Sequence, residues 1–342
     1  MMHQRFARNL AARAAVLGVL ACAGIAAHAA RGPQIVKPLA GPRATVLRVT
    51  WLYVTPDLSS QKLTRVQIGR EMVVVERSGP WMRVYANTDV EEDQSPDQPV
   101  FGDDSSAPPP ISGWVQSKGV VEESTPNGDQ ILMGAAANEE ALAADPRGPQ
   151  DAAKSAHLLY RRLAEMFPNS PLAGEAAWRA ADINWQIQKA DLSTLPSAKT
   201  QNPAMRELIH EHALKQVIKY YPNTRWAALA AYDLIDNKLC GDWQGSPRCP
   251  AKEAEVYEKY ADEYPGSPRA PRALYEAAWR EAVLVDMYRA THDDRKSNDA
   301  RQDAERLTDA LKSKFPQSDY TWRAMALVYK LEQGVPVYGI DQ

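Results

Sequence analysis

The chain has 342 residues, 24% of them charged and 44% apolar, with a formal net charge of −3. That balance excludes the basic surface on which general nucleic-acid binding rests. Beyond the N-terminal segment no stretch is long and apolar enough to cross a membrane, and the length suggests two domains.

Residues 1–29 read as a secretory signal peptide. Arg5, Arg8 and Arg13 precede an apolar stretch from Ala14 to about Ala27, and Ala27-His28-Ala29 is a small-x-small cleavage site. Cleavage there removes three arginines, leaves a mature chain of net charge −6, and sends it to the periplasm or outside the cell. The rival is a lipoprotein signal, with Val19-Leu20-Ala21-Cys22 as the lipidation box and Cys22 as the lipidated residue. Leu20 is unusual at that place, and the apolar core before Cys22 is short. An uncleaved anchor is disfavoured because the run falls short of the ~20 residues a span needs. Residues 30–43, which include Arg31-Gly32-Pro33-Gln34, read as an extended linker.

From Ala44 the character changes. Val46, Leu47 and Val49 lead into Trp51-Leu52-Tyr53-Val54-Thr55-Pro56. Gly69 to Val75, Pro80 to Tyr85, and Gly113-Trp114-Val115 with Val120-Val121 come next. These are β-branched and aromatic runs bounded by Gly, Pro, Asp and Ser, so they read as strands. Five short runs in so small a segment point to a small barrel. The order Leu-Tyr-x-x-Pro, Gly before a Val-rich strand, Trp-x-x-Val, then Gly-Trp-Val resembles a bacterial SH3-like domain over residues 44–123. That resemblance implies a module binding peptide or cell-wall material, with Tyr53, Trp81 and Trp114 as candidate ligand-binding residues. Residues 88–110 depart from the pattern. This insertion carries Asp89, Glu91, Glu92, Asp93, Asp97, Asp103 and Asp104, no basic residue, and Pro108-Pro109-Pro110. By composition it is a solvated extension; an acidic arm for a basic partner or a divalent cation is the sharper alternative. No Asp-x-Asp-x-Asp-Gly order is present, so no metal is expected.

Residues 124–149 form a junction. The turn cluster Thr125-Pro126-Asn127-Gly128-Asp129 leads to a helix from Ile131 to Ala144 that ends before Pro146 and caps the helical array after it.

The C-terminal part is built on four corners: Phe167-Pro168-Asn169-Ser170, Tyr221-Pro222-Asn223-Thr224, Tyr264-Pro265-Gly266-Ser267 and Phe315-Pro316-Gln317-Ser318. Proline pushes the preceding aromatic out of the helical region, so an arriving helix stops there. The hydroxyl residue can cap a new helix, with Pro171 and Pro268 expected at the first helical position of two of them. Three and six residues past the hydroxyl stand Ala173, Ala227, Ala270, Thr321 and Ala176, Ala230, Ala273, Ala324. Seven and four before the aromatic stand Tyr160, Leu214, Tyr257, Thr308 and Leu163, Val217, Tyr260, Leu311. Both sets mark amphipathic helix faces. The corners lie 54, 43 and 51 residues apart, a divergent period of the kind that builds stacked helical arrays.

Residues 150–334 therefore resemble tetratricopeptide-type repeats, an all-α solenoid after an all-β barrel, with residues 335–342 as a tail. The variety they are most similar to is that of periplasmic outer-membrane assembly lipoproteins and the Tol–Pal coordinating protein. Trp178, Tyr232 and Tyr275 replace the glycine usual in the helix after the corner, and the 34-residue period is lost, so groove shape does not transfer. A row of rings at helical spacing reads first as core, with these three as candidate ligand-binding residues if a concave face is exposed.

Cys240 and Cys249 flank an eight-residue loop. An oxidising compartment would let them pair, and a metal site would need two further ligands that no nearby spacing supplies. His210-Glu211-His212 places its histidines at i and i+2, on different helix faces, and reads as a solvent-facing helix start. His292-Asp293-Asp294-Arg295 reads as a loop. No catalytic constellation is found, so no enzymatic activity and no cofactor are expected. The expectation is an exported interaction or scaffold protein that holds a protein or peptide partner in the cell envelope, with peptidoglycan as a second candidate ligand. It binds no nucleic acid, and it meets the membrane only if Cys22 is lipidated. The alternatives are an outer-membrane assembly lipoprotein component and an accessory protein of a cell-wall hydrolase.

Overall fold

The structure is a computed structural model that describes residues 40–89, 110–200 and 202–338. The expected signal peptide, Cys22, most of the linker, residues 90–109 of the acidic insertion and residues 339–342 lie outside the described residues.

Seven strands form one antiparallel sheet: β1 (Arg43–Val46), β2 (Thr50–Tyr53), β3 (Lys62–Val66), β4 (Glu71–Ser78), β5 (Trp81–Ala86), β6 (Ile111–Gln116) and β7 (Val120–Glu122). Their order is β3-β2-β6-β5-β4-β1-β7. The sequence suggested five runs. The first divides because the chain bends at Leu47–Val49, and the last divides at the Lys118-Gly119 turn. β3 carries no strand signal in the sequence because it is an edge strand whose only buried residue is Val66. Leu52, Met72, Met82, Val84 and Val115 alternate inward and make the core of the sheet.

Nine α-helices come after the sheet among the described residues: α1 (Gly128–Ala144), α2 (Ala152–Met166), α3 (Ala173–Ser193), α4 (His212–Tyr220), α5 (Arg225–Asp233), α6 (Arg248–Glu263), α7 (Ala270–Ala290), α8 (Asp294–Lys314) and α9 (Asp319–Glu332). α1 starts three residues before the expected Ile131 and packs on α2. α2 to α9 make four pairs, each joined at one corner. Phe167, Tyr221, Tyr264 and Phe315 occupy the C-cap positions, with φ from −124° to −136° and ψ from 50° to 58°. Their N–H groups donate to the carbonyls of Leu163, Val217, Tyr260 and Leu311. All eight small residues past the corners are buried, as are all eight residues that lead up to them. The faces read from spacing are the faces that pack.

Two caps differ from the expectation. Thr224 and Ser318 cap α5 and α9, accepting from the N–H groups of Ala227 and Tyr320. α3 and α7 instead begin at Ala173 and Ala270, two residues past Pro171 and Pro268. There Ser-Pro opens an extra turn, closed by Ala173 N–H to Ser170 O and Ala270 N–H to Ser267 O, each 3.0 Å. Proline's fixed φ suits the second position of such a turn. The serine hydroxyls still accept, at 3.1 Å, from Leu172 and Arg269 N–H. The His292 stretch is likewise more than a loop, since Asp293 caps α8 by accepting from Lys296 N–H.

Sheet and helices meet through α2. Gly69, in the turn before β4, has φ +78°, and a Cβ there would lie 2.6 Å from Leu158 Cβ. Only glycine allows both that backbone and that approach. Beside it the Arg162 side chain is fully buried. Its guanidinium reaches Glu71 at 2.8 Å, Asp89 at 3.5 Å and Glu165 at 2.8 Å. Arg43 also pairs with Glu71, and Arg70 lies 3.5 Å from Asp89. Asp89, counted by sequence among the acids of a solvated insertion, is instead completely buried as part of this cluster. Its carboxylate is needed where Arg162 enters the sheet, since a buried charge must be paired.

Candidate functional site

Tyr53, Trp81 and Trp114 come together. Tyr53 pairs across the ladder with Trp114, and Trp114 with Arg83, which shares its strand face with Trp81. All three rings thus stand on the sheet face opposite the Leu52–Met82–Val115 core. Tyr53 and Trp81 meet edge to face, with centroids 5.5 Å apart, and are nearly buried by that contact, while Trp114 is half-buried. Trp51, not singled out by sequence, lies near this group with Arg65 4.7 Å and Lys62 4.9 Å from its ring.

Trp178, Tyr232 and Tyr275 do not come together. Each is half-buried and links its helix to a neighbour. Trp178 stacks on Trp226 at 5.6 Å and donates its indole N–H to Asp233 Oδ2 at 3.2 Å. Tyr232 meets Tyr260 at 5.2 Å, with Arg269 and Arg272 over its ring, and Tyr275 meets Tyr320 at 5.7 Å. Two turns along α3 the same device recurs: Trp185 donates to Asp236, which also accepts from Lys189. Burial, reinforced by Asp182, pushes the Asp233 carboxyl up to about 7. Burial raises Asp182 as well.

A larger opening lies elsewhere. α2, α3 and α4 enclose a groove of about 1020 Å³. Its floor is small: Ala153, Ala164, Ala177, Ala180, Ala181 and Ala213 line it. Its rim carries Lys154, Arg161, His157, His210 and His212, against the single carboxylate Glu165, which already serves Arg161 and Arg162. His157 is held by its Nδ1 to the Ala180 carbonyl at 2.8 Å. The segment before α4 is pinned from behind, where Asn237 bonds both the N–H and the carbonyl of Ile209. Gln216 bonds His212 through Nε2, while its Oε1 is buried in the groove wall and accepts no hydrogen bond. Nothing local in the sequence joins residues near 157 to residues near 212, because α3 and two short 3₁₀ turns separate them.

Cys240 and Cys249 are disulfide-bonded. The enclosed loop is anchored by Glu253, buried, which accepts from Cys240 N–H at 2.8 Å and Trp243 Nε1 at 3.1 Å. Arg280 pairs with Glu253 at 2.7 Å. Val337 and Tyr338 of the expected tail dock here, both donating N–H to Asp286, with Tyr338 against Trp243. Among the described residues no group of three or more His, Cys, Asp or Glu is placed to hold a metal ion, and no helix is long and apolar enough to cross a membrane.

No protein-family model matches the chain, and no curated protein matches it. Among solved structures it is similar to the DHF79 filament, at 19% identity over 58% of this chain and 95% of that one, with a TM-score of 0.23. The de novo designed helical repeat protein DHR64 is 18% identical over 60% of this chain and 94% of its own, also at a TM-score of 0.23. The DHF58 filament matches over 60% and 91% at 18% identity, with a TM-score of 0.22.

Proposed function

We propose that the protein is an exported scaffold of the cell envelope that holds a peptide segment of a partner, and that it holds rather than transforms it. The observation that carries this reading is the groove between α2, α3 and α4. Its alanine floor leaves room for a chain to lie close. Lys154 and Arg161 on the rim favour a segment that carries carboxylates. The seven-stranded sheet is read as an SH3-like module, with the Tyr53, Trp81 and Trp114 face as its site for peptide or cell-wall material. Its helical partner is read as a tetratricopeptide-like solenoid. The disulfide supports an oxidising compartment such as the periplasm.

The test is a photo-crosslinking residue introduced at Ala153, on the groove, and at Asp309, an exposed residue of α8, in the native envelope. A discrete adduct at 153, absent at 309 and lost in an Asn184→Trp chain that fills the groove, supports the reading. Equal or no labelling at the two sites refutes it. Peptidoglycan co-sedimentation with and without Trp114→Ala tests the sheet face. The mass of the mature N-terminus separates cleavage before Ala30 from lipidation at Cys22, and with it the assembly-lipoprotein reading. Zymography on cell-wall substrate tests the hydrolase-linked one.

A further inference from the structure

We infer that α9 is a self-association surface, through which two copies of this chain pair antiparallel about a two-fold axis at Met325 and Ala326. The repeat itself supplies the argument. Counted from the hydroxyl residue of each corner, the residues four, seven and eleven places on face the next unit of the stack. In α3 these are Gly174, Ala177 and Ala181. A Cβ on Gly174 would lie 3.0 Å from Trp226 and 3.1 Å from Tyr221, and the two alanines pack with Leu214 and Val217. In α5 and the turn after it they are Ala228, Ala231 and Ile235, the last two packed with Tyr257 and Tyr260 of α6. In α7 they are Pro271, Leu274 and Ala278, the last two packed with Leu307 and Leu311 of α8.

In α9 the same register holds Trp322, Met325 and Tyr329, and among the described residues no helix comes after it. They are 58%, 46% and 62% exposed. A face that is covered in three units is open in the fourth, and its side chains have grown from small to large. Trp and Tyr are the residues that most often anchor interfaces.

A second copy fits this face as its occupant. Positions 322, 325, 326 and 329 are symmetric about the point between 325 and 326. A self-complementary patch is what a two-fold contact requires. Antiparallel pairing sets Trp322 of each copy against Tyr329 of the other. On the adjoining side of the helix the same axis brings Lys330 within a turn of Asp319 of the other copy, twice; both are exposed, and Asp319 also pairs with Arg323 of its own helix at 3.1 Å. The three side chains offer about 400 Å² per copy, from the area such residues bury. That is half of what a standard interface takes from each partner, so the association is weak and concentration-dependent.

Sedimentation velocity of the purified protein over ~1–500 µM tests this. The expected result is a reversible monomer–dimer equilibrium. Trp322→Ser and Tyr329→Ser should each weaken it by about tenfold or more, with unchanged circular dichroism and Tm, since both side chains point away from the core. Met325→Cys should form an oxidised dimer with itself, while Lys312→Cys, off the axis, should not. Asp319→Lys should weaken the dimer, and Asp319→Lys combined with Lys330→Asp should restore it. A monomer throughout the range overturns the inference. So does a dimer indifferent to Trp322→Ser, or a Met325→Cys chain that cross-links no faster than Lys312→Cys.

Discussion

Replacing Arg162 by methionine should be among the most damaging single changes in this chain. The guanidinium is fully buried and stands between Glu71 at 2.8 Å and Asp89 at 3.5 Å, both buried themselves. At an effective dielectric of about 20, each contact is worth ~5 kcal/mol of Coulomb attraction. Methionine avoids the several kcal/mol of guanidinium desolvation, so the net loss is much smaller than the sum. Breaking a buried pair by removing one partner typically costs ~3–5 kcal/mol. Glu71 keeps Arg43 and Thr88, and Asp89 keeps Arg70, which places the expectation near ~3 kcal/mol. With a urea slope of ~3 kcal/mol per molar the midpoint falls by ~1 M. Because the cluster joins the sheet to α2, the unfolding of the sheet, followed by hydrogen exchange of the β4 and β5 amides, should separate from the helical transition monitored by circular dichroism. Arg162→Met with Glu71→Gln removes the uncompensated charge, while the amide oxygen still accepts, so it should regain a substantial part of the loss. A loss below about 1 kcal/mol, or a double variant no better than the single one, would refute the view that this cluster locks sheet to helices.

Asp233 supplies a pH signature. Its carboxyl is pushed from 3.8 to about 7 by burial and by Asp182. The folded state therefore holds a proton that the unfolded chain gives up. The associated stability is complete below pH ~4 and is lost as pH rises through about 7. Asp233→Asn keeps an oxygen for the Trp178 indole and should gain ~2 kcal/mol over the parent between pH 5 and pH 8 by thermal or urea unfolding; parallel pH profiles would count against it. Cys240→Ser with Cys249→Ser opens a short loop and should cost ~2.5–3 kcal/mol on the chain-entropy estimate. Reductant should lower the parent's Tm and leave the double variant's unchanged. Gly69→Val drives a Cβ into Leu158 at a positive φ and should destabilise by ~3 kcal/mol or more; a neutral urea midpoint would show that the sheet turn does not rest on α2.

The corners were legible because the rules behind them act within a few residues. Proline removes its predecessor from the helical region wherever it stands, and the alanines three and six residues beyond report a close helix contact before the neighbour is known. Strand β3 was not legible, since Lys-Leu-Thr-Arg-Val at a sheet edge carries little apolar alternation. α3 and α7 start two residues past the position that Ser-Pro marks, because Ser-Pro can open a turn as readily as a helix. Arg162 and Glu71 stand 91 residues apart, and Asp89 sits inside an acidic run where nothing marks it from its neighbours. Which charges are buried depends on how the chain closes on itself, and a pairing across that distance leaves no periodic trace.

The same division holds for the surfaces. Local sequence determined that helices turn back at Phe167, Tyr221, Tyr264 and Phe315, and which of their faces are apolar, because both arise from backbone sterics and side-chain spacing. Tertiary structure alone decided which apolar faces find a neighbour. Leu274 and Met325 stand at the same distance past the hydroxyl of their corners, yet one is buried under α8 and the other is open to solvent. Burial is set by the next element stacked in space, and that is not written in the helix that waits for it.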